Sequence, residues 1–585
     1  MSEGQEQEFE FDERPTIKGF PELRWTGKRP YRSTVYYPAQ LHERYGREAQ
    51  GGEHDGWINK LFWGDNLQVM SHLLRDFRGK VDLIYIDPPF DSKADYKKKI
   101  QLRGKTITND SSAFEEKQYG DIWTNDEYLQ FMYERLILCR ELLADTGSIY
   151  LHCDWHKSHH LRNLMDEVFG VGNFINEIIW TYKTGGGSKR WFGRKHDNIL
   201  LYGKTQKYIF NPQKEKSYLS HKYGFSNVEI FQDTEGRSYT MASMRDFWEI
   251  DALRGNQPEN VEYPTQKPEA LIERIIKASS NPGNLVFDCF MGSGTTQAVA
   301  MKLGRRFIGA DINLGAIQTT TKRLLGIQKD LESATDKAAG ELSFDTDDSP
   351  EPQKFTGFEV YNVNHYDFFR NPLEAKSLLM QALEIQPFPQ GDVFDGELDG
   401  RMVALMPVNR IATKADLEAL KANLPYKTYE KRRSEHPNQP AARITLVCMG
   451  HEPDLQASLE SELEEYQVDV KVVDVLRDRA DLQLKREAEA EVVIESGKLV
   501  IRQFYPLNLM QKLSLQKETV EDWRQLVDSV MVDWNFDGAI MEPAMTDVPG
   551  KNEIVSGIYD IPEDAGTIKV KITDVLSESL EVEVK

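Results

Sequence analysis

The sequence predicts an α/β fold with more than one domain, and three observations carry that prediction. The chain has 585 residues, too many for a single core. Between about 57 and 330, short apolar runs that read as buried strands alternate with stretches of helical spacing. A charged stretch then separates this block from a second mixed region of strand-like and helix-like segments.

Taken in order, residues 1–50 read as an N-terminal extension, acidic and polar at first and then aromatic and proline-rich in "RPYRSTVYYPAQ". The main block spans 51–328. There "KLFWGDN" is a short strand ending in Gly64-Asp65-Asn66, and "LQVMSHLLRDF" has helical spacing. "GSIYLHCDW" is another strand, "HKSHHLRNLMDEVFG" a helix closing on Gly170, and "NFINEIIWTYK" and "DNILLYGK" two further strands. Residues 329–354 carry many charges and almost no large apolar residue, so they read as an acidic linker. The rest, 355–585, reads as a C-terminal α/β domain. "RMVALMPV", "ARITLVCMG", "VDVKVVDVL" and "KLVIRQFYP" are strand-like there, and "TIKVKITDVLSESLEVEVK" alternates as half-buried strands do.

Composition narrows the class. Hydrophobic residues make up 40%, yet no apolar run reaches the roughly 18–20 residues of a membrane helix, and the N-terminus is unlike a signal peptide. Four widely spaced cysteines suggest a reduced, cytoplasmic setting. A formal charge of -22 argues against a chain that is basic all over. It leaves room for local basic strips that hold phosphates.

Two stretches carry chemistry. The first is "VDLIYIDPPF", a buried strand that runs into Asp87, Pro88, Pro89 and Phe90. Prolines stop the ladder because they have no N–H and a fixed φ. A single Asp-Pro is usually only a turn. Here the loop combines a carboxylate, stiffly held carbonyls and a ring, which suits a flat substrate bearing an amino group. The second is "NPGNLVFDCFMGSGTTQAVAMKLGRRFIGADI", a strand, a loop with Gly292 and Gly294, a helix, and a strand ending at Asp311. Such glycines let backbone approach a ligand at a helix N-terminus, and the acid is placed for ribose hydroxyls. Gln297 stands where the dinucleotide fingerprint has its third glycine, which favours a nucleoside cofactor without a pyrophosphate.

Together, "DPPF", "YPTQKPEAL" and "FDCFMGSGTT" resemble the amino-group DNA methyltransferases that use S-adenosylmethionine. The order is that of the beta class, and the flanks resemble type III modification subunits and site-specific adenine methyltransferases. The resemblance covers roughly 57–325 and implies a doubly wound, Rossmann-like sheet with circularly permuted motifs. It implies catalysis by the Asp87 to Phe90 loop, with Phe90 standing where tyrosine is commonest. Asp311 would hold the ribose, and Phe287, Asp288, Gly292, Gly294 and Thr295 would line the cofactor. Asp65 would lie near the adenine ring. Lys267 and Pro268 would begin the helix over the methionine end; Pro268 also suits a helix's first turn on its own account. Target recognition would sit in an insertion at 205–262. Double-stranded DNA is the implied substrate, with a restriction or helicase subunit and a second copy as further candidate partners.

Two runs stand out against the acidic average. "SKADYKKKIQLRGK" holds six basic residues and one acid, and "KTGGGSKRWFGRKH" five and none, so each carries +5. Charge runs are usually solvated surface. Beside a catalytic loop, and with Trp191 and Phe192 interleaved, phosphate contact by Lys97, Lys98, Lys99, Lys189, Arg190, Arg194 and Lys195 is the expectation. "HCDWHKSHH" has no cysteine pair to complete a zinc site, so no metal is expected. The reading is therefore methylation of adenine N6. N4 of cytosine, RNA or a protein amide, and a non-catalytic DNA-binding subunit are the alternatives.

Overall fold

The structure, a computed structural model, describes residues 8–11, 23–89, 95–103, 113–120, 125–183, 189–219, 229–254, 257–261, 263, 265–340 and 354–363. Beyond these it describes 376, 379–380, 383, 385–388, 393–398, 400–406, 412, 414–422, 424–435, 439–448, 463, 466–474, 488–507, 509–510, 513, 520, 522–550 and 552–584. The chain divides into two compact units. The first comprises 1–94, 121–311 and 316–363, and the second 95–120, 312–315 and 364–585.

The first unit is built on one ten-stranded sheet. In chain order its strands are β1 (Gln40–Tyr45), β2 (Asn59–Trp63), β3 (Val81–Ile86), β4 (Leu143–Cys153) and β5 (Phe174–Thr181). They continue with β6 (His196–Gly203), β7 (Phe247–Glu249), β8 (Leu285–Asp288), β9 (Arg306–Asp311) and β10 (Phe358–Asn362). Across the sheet the order is β7-β5-β6-β4-β3-β8-β9-β2-β10-β1. From β4 to β10 the strands are parallel, whereas β6 and β1 run antiparallel to their inner neighbours. A parallel centre must be covered on both faces, so its strands are apolar throughout. Val81, Leu83, Ile84 and Ile86 of β3 are all buried.

Among the described residues six helices flank the sheet: α1 (Asn66–Phe77), α2 (Asn125–Leu142), α3 (Ser158–Phe169), α4 (Glu269–Ser279), α5 (Thr295–Lys302) and α6 (Leu314–Gly340). Local chemistry sets their ends. Asp65 caps α1 by accepting the Leu67 N–H at 2.9 Å. Pro268 precedes α4 at φ -63°, as its fixed ring favours. None of the described helices is long and apolar enough to cross a membrane.

Three expectations about boundaries need correction. The N-terminal extension is not separate from the sheet: β1 lies within it and pairs with β10, and Phe11 and Trp25 are buried in the first unit's core. The linker expected at 329–354 begins as helix, because α6 continues to Gly340 through "KDLESATDKAAG". Its lysines, alanines, leucine and glutamate favour helix, while its aspartates, serine, threonine and final glycine do not, and a helix can be polar all round. The remainder of that stretch, 341–353, lies outside the described residues. The C-terminal domain also starts later than 355, since β10 inserts between β2 and β1.

The second unit has a mixed five-stranded sheet whose last three strands, Arg401–Leu405, Ala442–Cys448 and Val468–Asp474, are parallel. Helices Lys414–Ala422 and Tyr426–Glu435 lie between the first two of these strands in the chain. From Glu489 onward the described strands pair antiparallel, in a three-stranded and a four-stranded sheet. The α/β expectation therefore describes only the first part of this unit. The alternating tail forms the hairpin Ile568–Asp574 with Ser579–Val584.

Candidate active site

Strand β3 ends at Asp87 because two prolines follow, and neither can donate to a ladder. Strand β8 is its parallel neighbour, with Phe287 opposite Ile84, so Asp288 comes level with Tyr85. Both strands then release loops at the same edge, where open parallel sheets hold their ligands.

The two oxygens of Asp87 differ. Oδ2 accepts a hydrogen bond from the Lys267 ammonium. Oδ1 is buried and has no hydrogen-bond partner among the described residues. A buried acceptor left unmade costs about 1–3 kcal/mol, so such an atom is a place for an incoming N–H. Pro88 is buried and Pro89 half-buried. Phe90 lies outside the described residues.

Lys267 was expected beside the cofactor, and its ammonium reaches the Asp87 carboxylate. Its backbone still joins the other loop, because its carbonyl accepts from Thr295 Oγ1 at 3.3 Å. The segment is held in shape by Gln266, which bonds the Val261 N–H and the Glu259 carbonyl at 2.9 and 2.6 Å. Thr265 adopts φ 70°, an uncommon conformation for a β-branched residue, which the surrounding bonds must hold.

The glycine loop is closely built. Gly292 and Gly294 have φ of 50° and 69°, and a Cβ on Gly294 would come within 2.4 Å of Thr320 Oγ1. Asp311 Oδ2 accepts the Gly292 N–H at 2.9 Å, which ties the acid at the end of β9 to the loop. Asp288 braces the loop from below, accepting from the Phe290 N–H at 3.0 Å and Thr296 Oγ1 at 2.6 Å. Complete burial pushes its carboxyl up to about 7, although those two bonds work the other way. Thr295 begins α5 and accepts from Arg323 at 3.0 Å. Phe287 is fully buried in the core, so it supports β8 from within instead of lining a loop. Gln297, the residue in place of the third glycine, lies against Gly309 of β9, where a Cβ would meet it at 2.7 Å. The strand thus supplies the glycine that lets helix and sheet approach.

Asp65 stands after β2, next to β9 in the sheet, but its carboxylate is committed to capping α1 and to Arg135 at 3.0 Å. Its local role is to fix the edge beside Asp311.

Sequence reasoning missed a buried polar chain behind the Asp87 loop. The Tyr85 hydroxyl meets His152 Nδ1 at 2.8 Å, and His152 Nε2 meets Asp197 Oδ2 at 3.2 Å. Tyr182 donates to Asp197 Oδ1 at 3.2 Å. Burial works to raise the Asp197 carboxyl, but His152, the Lys267 charge and Tyr182 outweigh it and hold the group below the usual carboxylate range. The available signal was polar residues inside otherwise buried strands, Tyr85 in "LIYID" and His152 in "IYLHC". Also missed was Glu269 at the start of α4, which pairs with Arg323 at 2.8 Å and Lys302 at 2.7 Å.

Of the residues expected to meet DNA, Lys189, Arg190 and Arg194 are exposed and Lys195 is half-buried, all in the connection from β5 to β6. The Arg194 guanidinium sits 3.7 Å from the Trp155 ring centroid. Lys97, Lys98 and Lys99 lie on strand Asp95–Gln101, which pairs with Ala113–Gly120 in the second unit. Arg103 of the same run is a structural cation that pairs with Asp528. The 205–262 segment carries a small antiparallel sheet, Lys214–Tyr218, Phe231–Gln232 and Ser238–Ser243.

A family model described as DNA methylase matches residues 81–322, which include both loops and the connection between them. The chain is 30% identical over 331 residues to the Type II methyltransferase M.EcaI of Enterobacter cloacae, covering 45% of this chain and 69% of that protein. It is 31% identical over 245 residues to the Type II methyltransferase M.HpaI of Haemophilus parainfluenzae, covering 42% and 68%. It is 29% identical over 285 residues to the DNA adenine methyltransferase YhdJ of Escherichia coli (strain K12), covering 48% and 84%. With adjacent loops of this chemistry and relatives matched over more than two thirds of their length, the chain belongs to the DNA methylase family.

Proposed function

We propose that this DNA methyltransferase modifies the N6 amino group of adenine at a specific site, with Asp87 as the group that orients the nucleophile. The observation that carries the reading is Oδ1 of Asp87, buried and without a hydrogen-bond partner among the described residues. The adenine assignment draws further support from YhdJ, a DNA adenine methyltransferase. An aspartate at the head of the loop also resembles the adenine-modifying members.

In this reading S-adenosylmethionine is the cofactor, and when bound it would supply an electrophilic methyl group on a sulfonium sulfur. The residues present fit it. Gly292 and Gly294 leave backbone where a Cβ would collide, α5 directs its N-terminus at the same edge, and Asp311 stands at the end of β9. Asp311 and the glycine loop would hold the nucleoside part, with Thr295 fixing the approach from Lys267.

An exocyclic amino group is a poor nucleophile because its lone pair is delocalised into the ring. Accepting one N–H at Asp87 Oδ1 and the other at the Pro88 carbonyl favours a more tetrahedral nitrogen, whose lone pair can then point out of the plane. The prolines keep both acceptors fixed, so the work is alignment and electrostatics. Phe90 offers a face on which a base rotated out of the duplex can stack. Lys267 holds the second oxygen and thereby aims the first.

The small sheet within 205–262 is the proposed target-recognition element, with Tyr218 and Met241 exposed on its strands. The Type II relatives support a restriction-modification setting. The second unit is the proposed docking region for a restriction or helicase subunit or for a second copy. Four buried, free cysteines support a reduced, cytoplasmic environment.

The test is tritiated methyl transfer to unmodified DNA, followed by nucleoside digestion and chromatography. N6-methyladenine is expected. N4-methylcytosine would overturn the base assignment, and label in RNA or protein alone would overturn the substrate class.

A further inference from the structure

We infer that Phe192 is a wedge that enters the base stack and occupies the space vacated by the rotated adenine. The inference rests on the adenine-methyltransferase reading and deepens it. Phe192 is 97% exposed, more than any other large apolar side chain among the described residues, and its neighbour Trp191 is 56% exposed. Burying neither ring in a chain with a sizeable core is costly unless a partner covers them. The partner's chemistry is written in the flanks, where Lys189, Arg190, Arg194 and Lys195 surround the two rings without an acid in the segment. On a chain of net charge -22, such a segment selects a polyanion.

Topology places this segment at the catalytic edge. Leu151 of β4 pairs with Ile86, so β4 and β3 end together. Cys153 pairs with Asn198, so β6 begins where β4 ends, and the connection preceding β6 lies at that same edge. From β3 to β6 is two strand spacings, about 10 Å. That is close to the radius of a duplex, which lets one surface hold the rotated base at Asp87 while another stays in the helix. The platform is anchored, because Arg194 stacks on Trp155, two residues beyond the end of β4. Proteins that distort DNA use apolar wedges of this kind, flanked by cations on the phosphates.

The experiment first maps the modified site by long-read sequencing of DNA from cells expressing the protein. Synthetic duplexes carrying that site are then used, with the target adenine correctly paired or mismatched, together with a duplex bearing 2-aminopurine at the target. The wedge predicts that Phe192→Ala loses at least tenfold in kcat/KM on the paired duplex. It predicts that most of this returns on the mismatch, where unpairing is already done. Phe192→Leu should fall between. Fluorescence of 2-aminopurine should rise with the wild-type protein and stay low with Phe192→Ala. Equal activity of Phe192→Ala on the paired duplex would overturn the wedge, as would a loss of the same size on both duplexes. Failure of the adenine reading is separate, because it would show as an unmodified genome or a modified cytosine with the wild-type protein.

Discussion

The loops after β3 and β8 leave neighbouring strands at one edge, yet they are finished in opposite ways. The loop after β8 is already bonded within itself and to its neighbours. Asp288 holds Phe290 and Thr296, Asp311 holds Gly292, and Thr295 is tied to Lys267 and Arg323. The loop after β3 stands on two prolines and keeps one carboxylate oxygen buried without a partner among the described residues. A cofactor that must bind in the same pose each turnover is served by a preformed cradle. A base that arrives, reacts and leaves is served by an acceptor that only the substrate satisfies.

The largest effect should come from the unfinished loop. Asp87→Ala removes the acceptor proposed to orient the amino group, and losing one such electrostatic contact costs about a hundredfold to a thousandfold in rate. Cofactor affinity, measured by calorimetry, should be nearly unchanged because the cradle is intact. Full activity in Asp87→Ala would break the comparison at its catalytic end.

The next effect lies beneath the cradle and appears as pH dependence. The Asp288 carboxyl is pushed up to about 7, above its ordinary value near 4 in an unfolded chain. Its contribution to stability is therefore fully present below pH ~4 and is lost as pH rises through ~7. In that window the folded protein retains a proton that the unfolded chain has released, which lowers stability by up to ~1.4 kcal/mol per pH unit. Asp288→Asn should remove this slope, so the variant gains on the wild type between pH 4 and 7. Urea unfolding of both proteins across that range provides the comparison, and parallel profiles would mean Asp288 ionises normally.

Asp311 should matter for affinity in proportion to one charged hydrogen bond. Asp311→Ala removes an acceptor worth roughly 1.5–3 kcal/mol, and it also frees the Gly292 N–H that the carboxylate holds. Calorimetry with S-adenosylmethionine should show a constant at least tenfold weaker. An unchanged constant in a folded variant would mean the cradle holds the cofactor without this acid.

Residues whose character is local were legible before any coordinates. Asp87-Pro88-Pro89 announces a strand stop and a carboxylate, and Gly292 and Gly294 announce a loop of closely approaching backbone before a helix; their positive φ values are a further reason for glycine there. What could not be read was long-range pairing. Nothing near Phe358 says that its strand will insert between β2 and β1, about 300 residues earlier in the chain. The same holds for Lys267 reaching Asp87, and for Tyr85, His152 and Asp197, which come from three strands. Gln297 was legible as a departure from a pattern, but its reason required Gly309, a strand away.

The smallest effect concerns the lysines that follow the unfinished loop in sequence. Lys97, Lys98 and Lys99 sit on a strand paired within the second unit, and Arg103, from the same run, is already held by Asp528. Position in the chain therefore does not by itself make them part of the catalytic edge. If they do touch phosphates, each contact in water is worth ~1 kcal/mol or less. Their signature would be in salt dependence, because each neutralised phosphate releases bound counterions. Replacing all three with glutamine should lower the slope of log affinity against log salt by up to about three, with no preference for one DNA sequence. Binding titrations between low and moderate salt would measure it. An unchanged slope would confine DNA contact to the first unit, and the basic run would then serve the second unit's own structure, as Arg103 already does.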